Sequence, residues 1–237
     1  GIPVVFNSQI SVYSSSTYDP VANKVVIAYQ DGSNSNYGTA IVGTISGGSI
    51  SFGSPALFNN TNTHVTSAAY DTAANKVVIA YKDYGNSGYG TAVAGTVSGD
   101  SISFGTPTVF NNAQTENLSA IYYPPANSVV IAYQDRGNSR YGTVVSVTVS
   151  GDSISFDTPT VFNNGTTSHI SATYDSVTNE LVIAYQDSSN SNYGTAVTYS
   201  TGGTTTNLTD SNYIGVSTGD YADGAEATVQ IAGINAD

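Results

Sequence analysis

The stretch AYQDGSNSNYGTA runs from Ala28 to Ala40, and it returns as AYKDYGNSGYGTA from Ala80, AYQDRGNSRYGTV from Ala132 and AYQDSSNSNYGTA from Ala184. The spacing is a constant 52 residues, and a fixed period of that size marks repeated supersecondary units. Each unit reads as four strands. The first ends at Tyr18, Tyr70, Tyr122 or Tyr174. The second is KVVIAYQD from Lys24 and its counterparts, with Val25, Ile27 and Tyr29 on one face and Val26 and Ala28 on the other. A strand apolar on both faces belongs inside a stack of sheets. The third is YGTAIVGTIS from Tyr37 and the fourth SISFGSPALF from Ser49. They are joined by SGG at Ser46 or SGD at Ser98 and Ser150, where Gly supplies the positive φ of a tight hairpin. Between the first two strands lie DPVANK, DTAANK, PPANS and DSVTNE, turns rich in Asp, Pro and Asn. No segment carries helical periodicity.

Four-stranded antiparallel units repeated around an axis predict an all-β fold, a four-bladed β-propeller with a short C-terminal β appendage. The fourth unit lacks the SFGSPALFN ending, whereas the chain opens with GIPVVFN, whose Pro3, Phe6 and Asn7 are in register with Pro55, Phe58 and Asn59. The expected organisation is therefore a propeller over about 1–207, with blades at about 9–60, 61–112, 113–164 and 165–207 and closure by a strand at 2–7. Such closure hides two sheet edges. Residues 208–237 read as a β-hairpin appendage or a linker to a further domain. A chain that opens on Gly1 and contains no Met is expected to be a processed product or a piece of something longer.

Composition narrows the function. Five Lys+Arg stand against 17 Asp+Glu, a formal net charge of −12. That balance points away from nucleic acid and anionic membranes, whose phosphates need Lys and Arg. No apolar run approaches the 18 residues of a spanning helix, so no membrane insertion is expected. The absence of Cys excludes thiol chemistry and Cys-ligated metal. Abundant Gly, Ser, Thr, Asn and Tyr with sparse charge suit a virion or extracellular β-protein.

The unit VVIAYQDGSNSNYGTAIVGTISGGSISFGSPALFN resembles repeats of marine bacteriophage tail and tail-fibre-like proteins, and LTDSNYIGVSTGDYADGAEATVQIAGI resembles a segment that follows such repeats. The resemblance implies a virion location, host adhesion and attachment to other virion or fibre proteins through the appendage. DYGNSGY from Asp83 and DRGNSRY from Asp135 are loosely similar to the Asp-box of sialidase-like propellers, in which the Asp caps a turn; Ser33 and Ser189 depart from its Gly position.

Two ladders carry the candidate chemistry. Asp31, Asp83, Asp135 and Asp187 each end a strand, where a carboxylate accepts backbone N–H groups and holds the following turn. Asp31, Ser33 and Ser35 alternate as calcium ligands do, but one carboxylate per loop is too few, so no metal or other cofactor is expected. The loops also present Asn34 and Tyr37, Asn86 and Tyr89, Asn138 and Tyr141, and Asn190 and Tyr193. Tyr at these places packs between units or stacks on a sugar, and four weak sites on one scaffold gain by avidity. Catalysis finds no motif: His64 and His169 occupy non-equivalent repeat positions, the only Arg residues are Arg136 and Arg140, and Glu116, Glu180 and Glu226 form no pair. The sequence reading is a non-enzymatic module that contacts a cell-surface glycan, with a purely structural assembly component as the alternative and, third, a glycosidase-like propeller enzyme whose carboxylate pair would have to come from Asp.

Overall fold

The computed structural model describes Gly1–Ser200 together with the backbone strands Gln230–Ile231 and Ile234–Asn235, which pair antiparallel. The expected appendage at 208–237 lies outside the described residues apart from those four positions. Gly1–Thr201 is one compact unit and Gly202–Asp237 a second.

The first repeat folds as β1 (Ser11–Asp19), β2 (Lys24–Asp31), β3 (Tyr37–Ser46) and β4 (Ser49–Phe52). A 16-residue strand, β5 (Ala56–Asp71), leads into β6 (Lys76–Asp83), β7 (Tyr89–Ser98) and β8 (Ser101–Phe104). The long strand recurs as β9 (Thr108–Tyr123), followed by β10 (Ser128–Asp135), β11 (Tyr141–Ser150) and β12 (Ser153–Phe156). It recurs again as β13 (Thr160–Asp175), followed by β14 (Glu180–Asp187) and β15 (Tyr193–Tyr199). The result is an all-β antiparallel fold with one continuous 15-stranded sheet, and β4, β8 and β12 pair off its main path.

The long strands are what make the sheet continuous. The first half of β5 pairs with β3, from Ala40↔Ala56 to Tyr37↔Asn62, and the second half pairs with β6 from Thr63↔Asp83. The same change of partner falls between Gln114 and Thr115 and between Thr166 and Thr167. The expected single fourth strand, SISFGSPALF, is thus split. Pro55 has no N–H for a ladder, and a Cβ on Gly53 would stand 1.9 Å from the carbonyl oxygen of Asp100 in the next unit. The chain leaves the sheet there and rejoins it as β5.

Alternation along the second strand of each unit builds the core. Val26, Ala28, Ala40 and Val42 face forward onto Val77, Ile79 and Tyr81 of the next unit, and all are buried. Val78, Ala80 and Ala92 meet Val129, Ile131 and Tyr133 in the same way, and Val130, Ala132 and Val144 meet Leu181, Ile183 and Tyr185. A phenylalanine wedges each interface. The ring of Phe58 lies where a Cβ on Gly38 would stand 2.4 Å away, and it packs on Tyr81 at a 5.1 Å centroid separation. Phe110 lies over Gly90 and packs on Tyr133, and Phe162 lies over Gly142 and packs on Tyr185. This is the reason for Gly in the repeated Tyr-Gly-Thr: any side chain there would occupy the volume of the ring.

The expected ring closure is not made. The strand predicted at 2–7 is not a strand, and Ile2, Val4 and Val5 are exposed. Phe6 packs on Tyr29 and Phe52 of the first unit, at 5.2 and 6.1 Å, and β15 pairs only with β14 among the described residues. The physical reason lies in the rotation between neighbouring units: equivalent seams close a ring only when their rotations add to a full turn, and four units here leave the first and last strands of the described sheet unpaired with each other.

Truncating Phe110 to Ala empties a site filled from both sides and is expected to cost about 3–5 kcal/mol. Phe6→Ala, whose ring has a partner on one side only, is expected to cost less than half as much. Urea denaturation of the two variants in dilute solution checks the order.

Candidate functional site

The loops between second and third strands are built by local chemistry. Asp31 Oδ1 accepts the N–H of Ser33 at 3.1 Å, Asp83 that of Gly85 at 3.0 Å, Asp135 that of Gly137 at 2.9 Å and Asp187 that of Ser189 at 2.9 Å. Each is an Asx turn. The carboxylates also reach back to the long strand: the side-chain amide of Asn59 donates to Asp83 at 3.2 Å, and that of Asn111 donates to Asp135 at 3.1 Å. Positive φ at Ser35 and Asn36, Ser139 and Arg140, and Ser191 and Asn192 then turns the chain back. The second unit has Gly at the last of these positions, Gly88, and its loop contains a short 3₁₀ turn at Tyr84–Asn86.

Asn34, Asn86, Asn138 and Asn190 are exposed, one to a unit; Tyr37, Tyr89 and Tyr141 are half-buried, and Tyr193 is exposed. The loops hook onto the following unit, since Asn36, Gly88 and Arg140 carbonyls accept the N–H of Thr63, Thr115 and Thr167 at 2.9–3.0 Å. Among the described residues no three His, Cys, Asp or Glu side chains gather as metal ligands would. The phenols of the AYQD strands are locked away: burial, aided by Asp31, pushes Tyr29 up to about 12, and burial raises Tyr81 and Tyr133 as well.

A second constellation lies beside these loops, where the repeats stop agreeing. Equivalent positions carry Val12, His64, Glu116 and Ser168; Gln30, Lys82, Gln134 and Gln186; and Gly32, Tyr84, Arg136 and Ser188. The divergent members come together. The Tyr13 and His64 rings are 5.0 Å apart, and His64 and Tyr84 are 4.3 Å apart. Lys82 Nζ stands 4.5 Å over the Tyr84 ring and donates to Glu116 Oε1 at 2.5 Å, while Arg136 Nη1 reaches the same oxygen at 3.4 Å.

The backbone explains the placement. His64 faces Lys82 across the β5–β6 ladder and Glu116 faces Gln134 across β9–β10, each next to a bulge, which re-aims side chains at a sheet edge. Tyr13 and Val65 in the bulges have positive φ. Elsewhere the position of Lys82 is a glutamine whose amide crosses the seam: Gln30 donates to the Thr63 carbonyl at 2.6 Å, and Gln134 donates to the Thr167 carbonyl. At the middle seam the amide bond is replaced by a charged pair. Lys82 is 1% exposed, so Glu116 neutralises a charge that has no access to water. Tyr13 and Tyr84 stay 44% and 45% exposed and present their faces to solvent.

The sequence reading set aside His64, Arg136 and Glu116 for lack of a motif and did not consider Lys82, Tyr84 or Tyr13 as site residues. The usable signal was repeat disagreement: among the aligned columns that vary, three have odd members that are in contact.

No protein-family model matches the chain, and no curated protein matches it. Among solved structures the chain is similar to an exo-β-1,3-galactanase from Phanerochaete chrysosporium, in a crystal structure with β-1,3-galactotriose. The identity is 8% and the TM-score 0.54, over 76% of this chain and 44% of that one. The likeness is one of fold. It corrects one expectation: a fold shared with a glycosidase does not mark a protein as lacking catalytic activity, and the reading of the chain as a non-enzyme is withdrawn.

Two outcomes follow for the cluster. Glu116→Ala leaves the Lys82 ammonium buried without its partner and is expected to cost about 3 kcal/mol, whereas Lys82→Gln restores the amide of the other seams and is expected to cost far less; chemical denaturation separates them. Burial, with Lys82 next and Glu116 opposing, holds His64 below its ordinary value. The unfolded chain therefore takes up the proton first as pH falls, so this contribution to stability is full above about 6.5 and is lost below it. A His64→Gln variant should show a smaller drop in melting temperature between pH 7 and pH 5 than the wild type.

Proposed function

We propose that the chain is a carbohydrate-contacting module of four propeller-like blades, carried on a virion or otherwise outside the cell. It holds a sugar on the face formed by the loops between second and third strands, where Tyr13, His64 and Tyr84 lie. The observation that carries this reading is that run of three rings, two of them nearly half exposed, at 5.0 and 4.3 Å. Aromatic faces take the apolar side of a sugar ring, and polar edges take its hydroxyls. The exposed Asn34, Asn86, Asn138 and Asn190 with their neighbouring tyrosines supply further weak contacts along the same loop face.

The charges next to the rings are spent on one another: Lys82 and Arg136 both turn to Glu116. That leaves hydroxyl recognition, rather than charge, as the source of affinity, and it favours a neutral glycan. The solved structure of similar fold carries β-1,3-galactotriose, which is consistent with a saccharide at a fold of this kind. The resemblance to phage tail-fibre repeats supports a host-surface glycan as the partner, with 208–237 as the attachment to other virion proteins.

Host envelope polysaccharide on a solid support is expected to retain the protein. Soluble sugar should compete at millimolar concentration, and retention should change little between low and high salt, unlike phosphate binding. Tyr84→Ala combined with Tyr13→Ala should weaken binding at least tenfold, about 1.4 kcal/mol, with the circular dichroism spectrum unchanged. Retention that is indifferent to both substitutions, or absent from every host surface fraction, overturns the reading.

A further inference from the structure

The two ends of the array carry the two halves of one interface. Facing forward in the fourth unit are Val182, Ala184, Ala196 and Thr198, with Ala184, Ala196 and Thr198 exposed. Their equivalents in the first unit, Val26, Ala28, Ala40 and Val42, are 0% exposed because the second unit covers them. Facing backward in the first unit are Val25, Ile27 and Phe6, with Val25 and Ile27 only half-buried. Their equivalents one repeat on, Val77, Ile79 and Phe58, lie in the core.

The wedge shows the same complementarity. A Cβ on Gly38, Gly90 or Gly142 would run into a phenylalanine ring, whereas a Cβ on Gly194 meets nothing within 4 Å among the described residues. Phe6, on the other end, already sits on Tyr29 in the pose that Phe58 takes on Tyr81. It lacks only the glycine on its other side.

We propose that copies of this chain associate head to tail, the Pro3–Ile10 segment of one copy pairing with β15 of another as β5 pairs with β3. Continuity with the three seams inside the chain fixes the register. Tyr37↔Asn62, Gly38↔Asn59, Thr39↔Leu57 and Ala40↔Ala56 become Tyr193 opposite Ile10, Gly194 opposite Asn7, Thr195 opposite Val5 and Ala196 opposite Val4. Phe6 of the incoming copy then covers Gly194.

The hydrogen bonds transfer in the same way. Ser15, Ser67 and Ser119 hydroxyl oxygens accept the N–H of Ala68, Ala120 and Ala172 at 2.9–3.1 Å; Ser171 would accept that of Ser16. The Asn192 carbonyl, now taking the Gln186 side-chain amide at 3.4 Å, would accept the Ser11 N–H as Asn36 accepts that of Thr63. Val4, now exposed, would become partly covered opposite Ala196 as Ala56 is opposite Ala40, while Val5 would stay near the surface as Leu57 does. The contact joins two different surfaces, so each addition leaves both ends open and the assembly grows by mass action.

The full chain contains no Cys, which makes the test clean. In a Val5→Cys, Thr195→Cys double variant the two sulfurs would belong to directly opposed residues of neighbouring strands, within disulfide reach. Mild oxidation is expected to give a ladder of chain multiples on a non-reducing gel, with each single variant staying at single-chain size because its one thiol faces Val5 or Thr195 of the neighbouring copy. A band of single-chain size with both thiols consumed would mean that the chain closes on itself, and no cross-linking in folded protein would mean that the ends do not meet; either result overturns the proposal. Sedimentation of the wild type should show a mass that rises with concentration. Ala184→Arg, at an exposed position, should return it to the 24.4 kDa of one chain without loss of folding, and a mass that stays at 24.4 kDa for the wild type at all concentrations is equally fatal.

Discussion

Everything in the array hangs on a phenyl ring pressed against a backbone that has no side chain. Phe58, Phe110 and Phe162 occupy the space that a Cβ on Gly38, Gly90 or Gly142 would need, and each continues onto the tyrosine of the next unit. Such a contact fixes distance as well as affinity, because interiors are close-packed and tolerate neither void nor overlap. With that spacing set, the aliphatic residues of β2, β6, β10 and β14 meet across each seam, and the loop carbonyls reach the first N–H of the following unit. The paired charges Lys24–Asp100 at 2.7 Å and Lys76–Asp152 at 2.8 Å bridge equivalent places at the first two seams. Both aspartates are held below their ordinary carboxylate value, first by the hydrogen bond from the lysine. They are exposed pairs, and such pairs guide alignment more than they stabilise.

Against this regular frame, function is written in the departures. The middle seam alone exchanges an amide for an ammonium and a carboxylate, and the residues around that exchange are His64, Tyr84 and Arg136. A buried charge pair gives little stability over an apolar or amide alternative, so its presence at one seam of three needs a reason other than holding the seam. The exposed rings beside it are that reason in the reading offered here: Lys82 stands over Tyr84 and fixes the ring as a platform.

Much of the fold was legible in the sequence, because it rests on local chemistry repeated four times. The 52-residue period, the two-faced apolar strand, the SGG and SGD hairpins and the Asp at each loop start all have causes within a few residues of themselves. Closure was not legible. It depends on the small rotation between neighbouring units, which no motif encodes, and the register of GIPVVFN with GSPALFN specifies a partner strand without specifying which chain supplies it. The cluster was missed for a related reason. Tyr13, His64, Lys82, Glu116 and Arg136 come from three units, and their proximity follows only once the units are stacked and their columns compared.

The seams fall inside β5, β9 and β13 rather than in the loops between strands. A boundary placed there has a hereditary consequence. Each seam repeats the same strand register 52 residues on, so a whole unit gained or lost between Asn62 and Thr63, or between Gln114 and Thr115, leaves the backbone pairing of every remaining junction as it was. Nearest-neighbour construction of this kind makes stability a sum over units and junctions. Reach is therefore the property that selection can alter most cheaply in such a molecule, since its length can change in whole steps while each surviving surface keeps its neighbour.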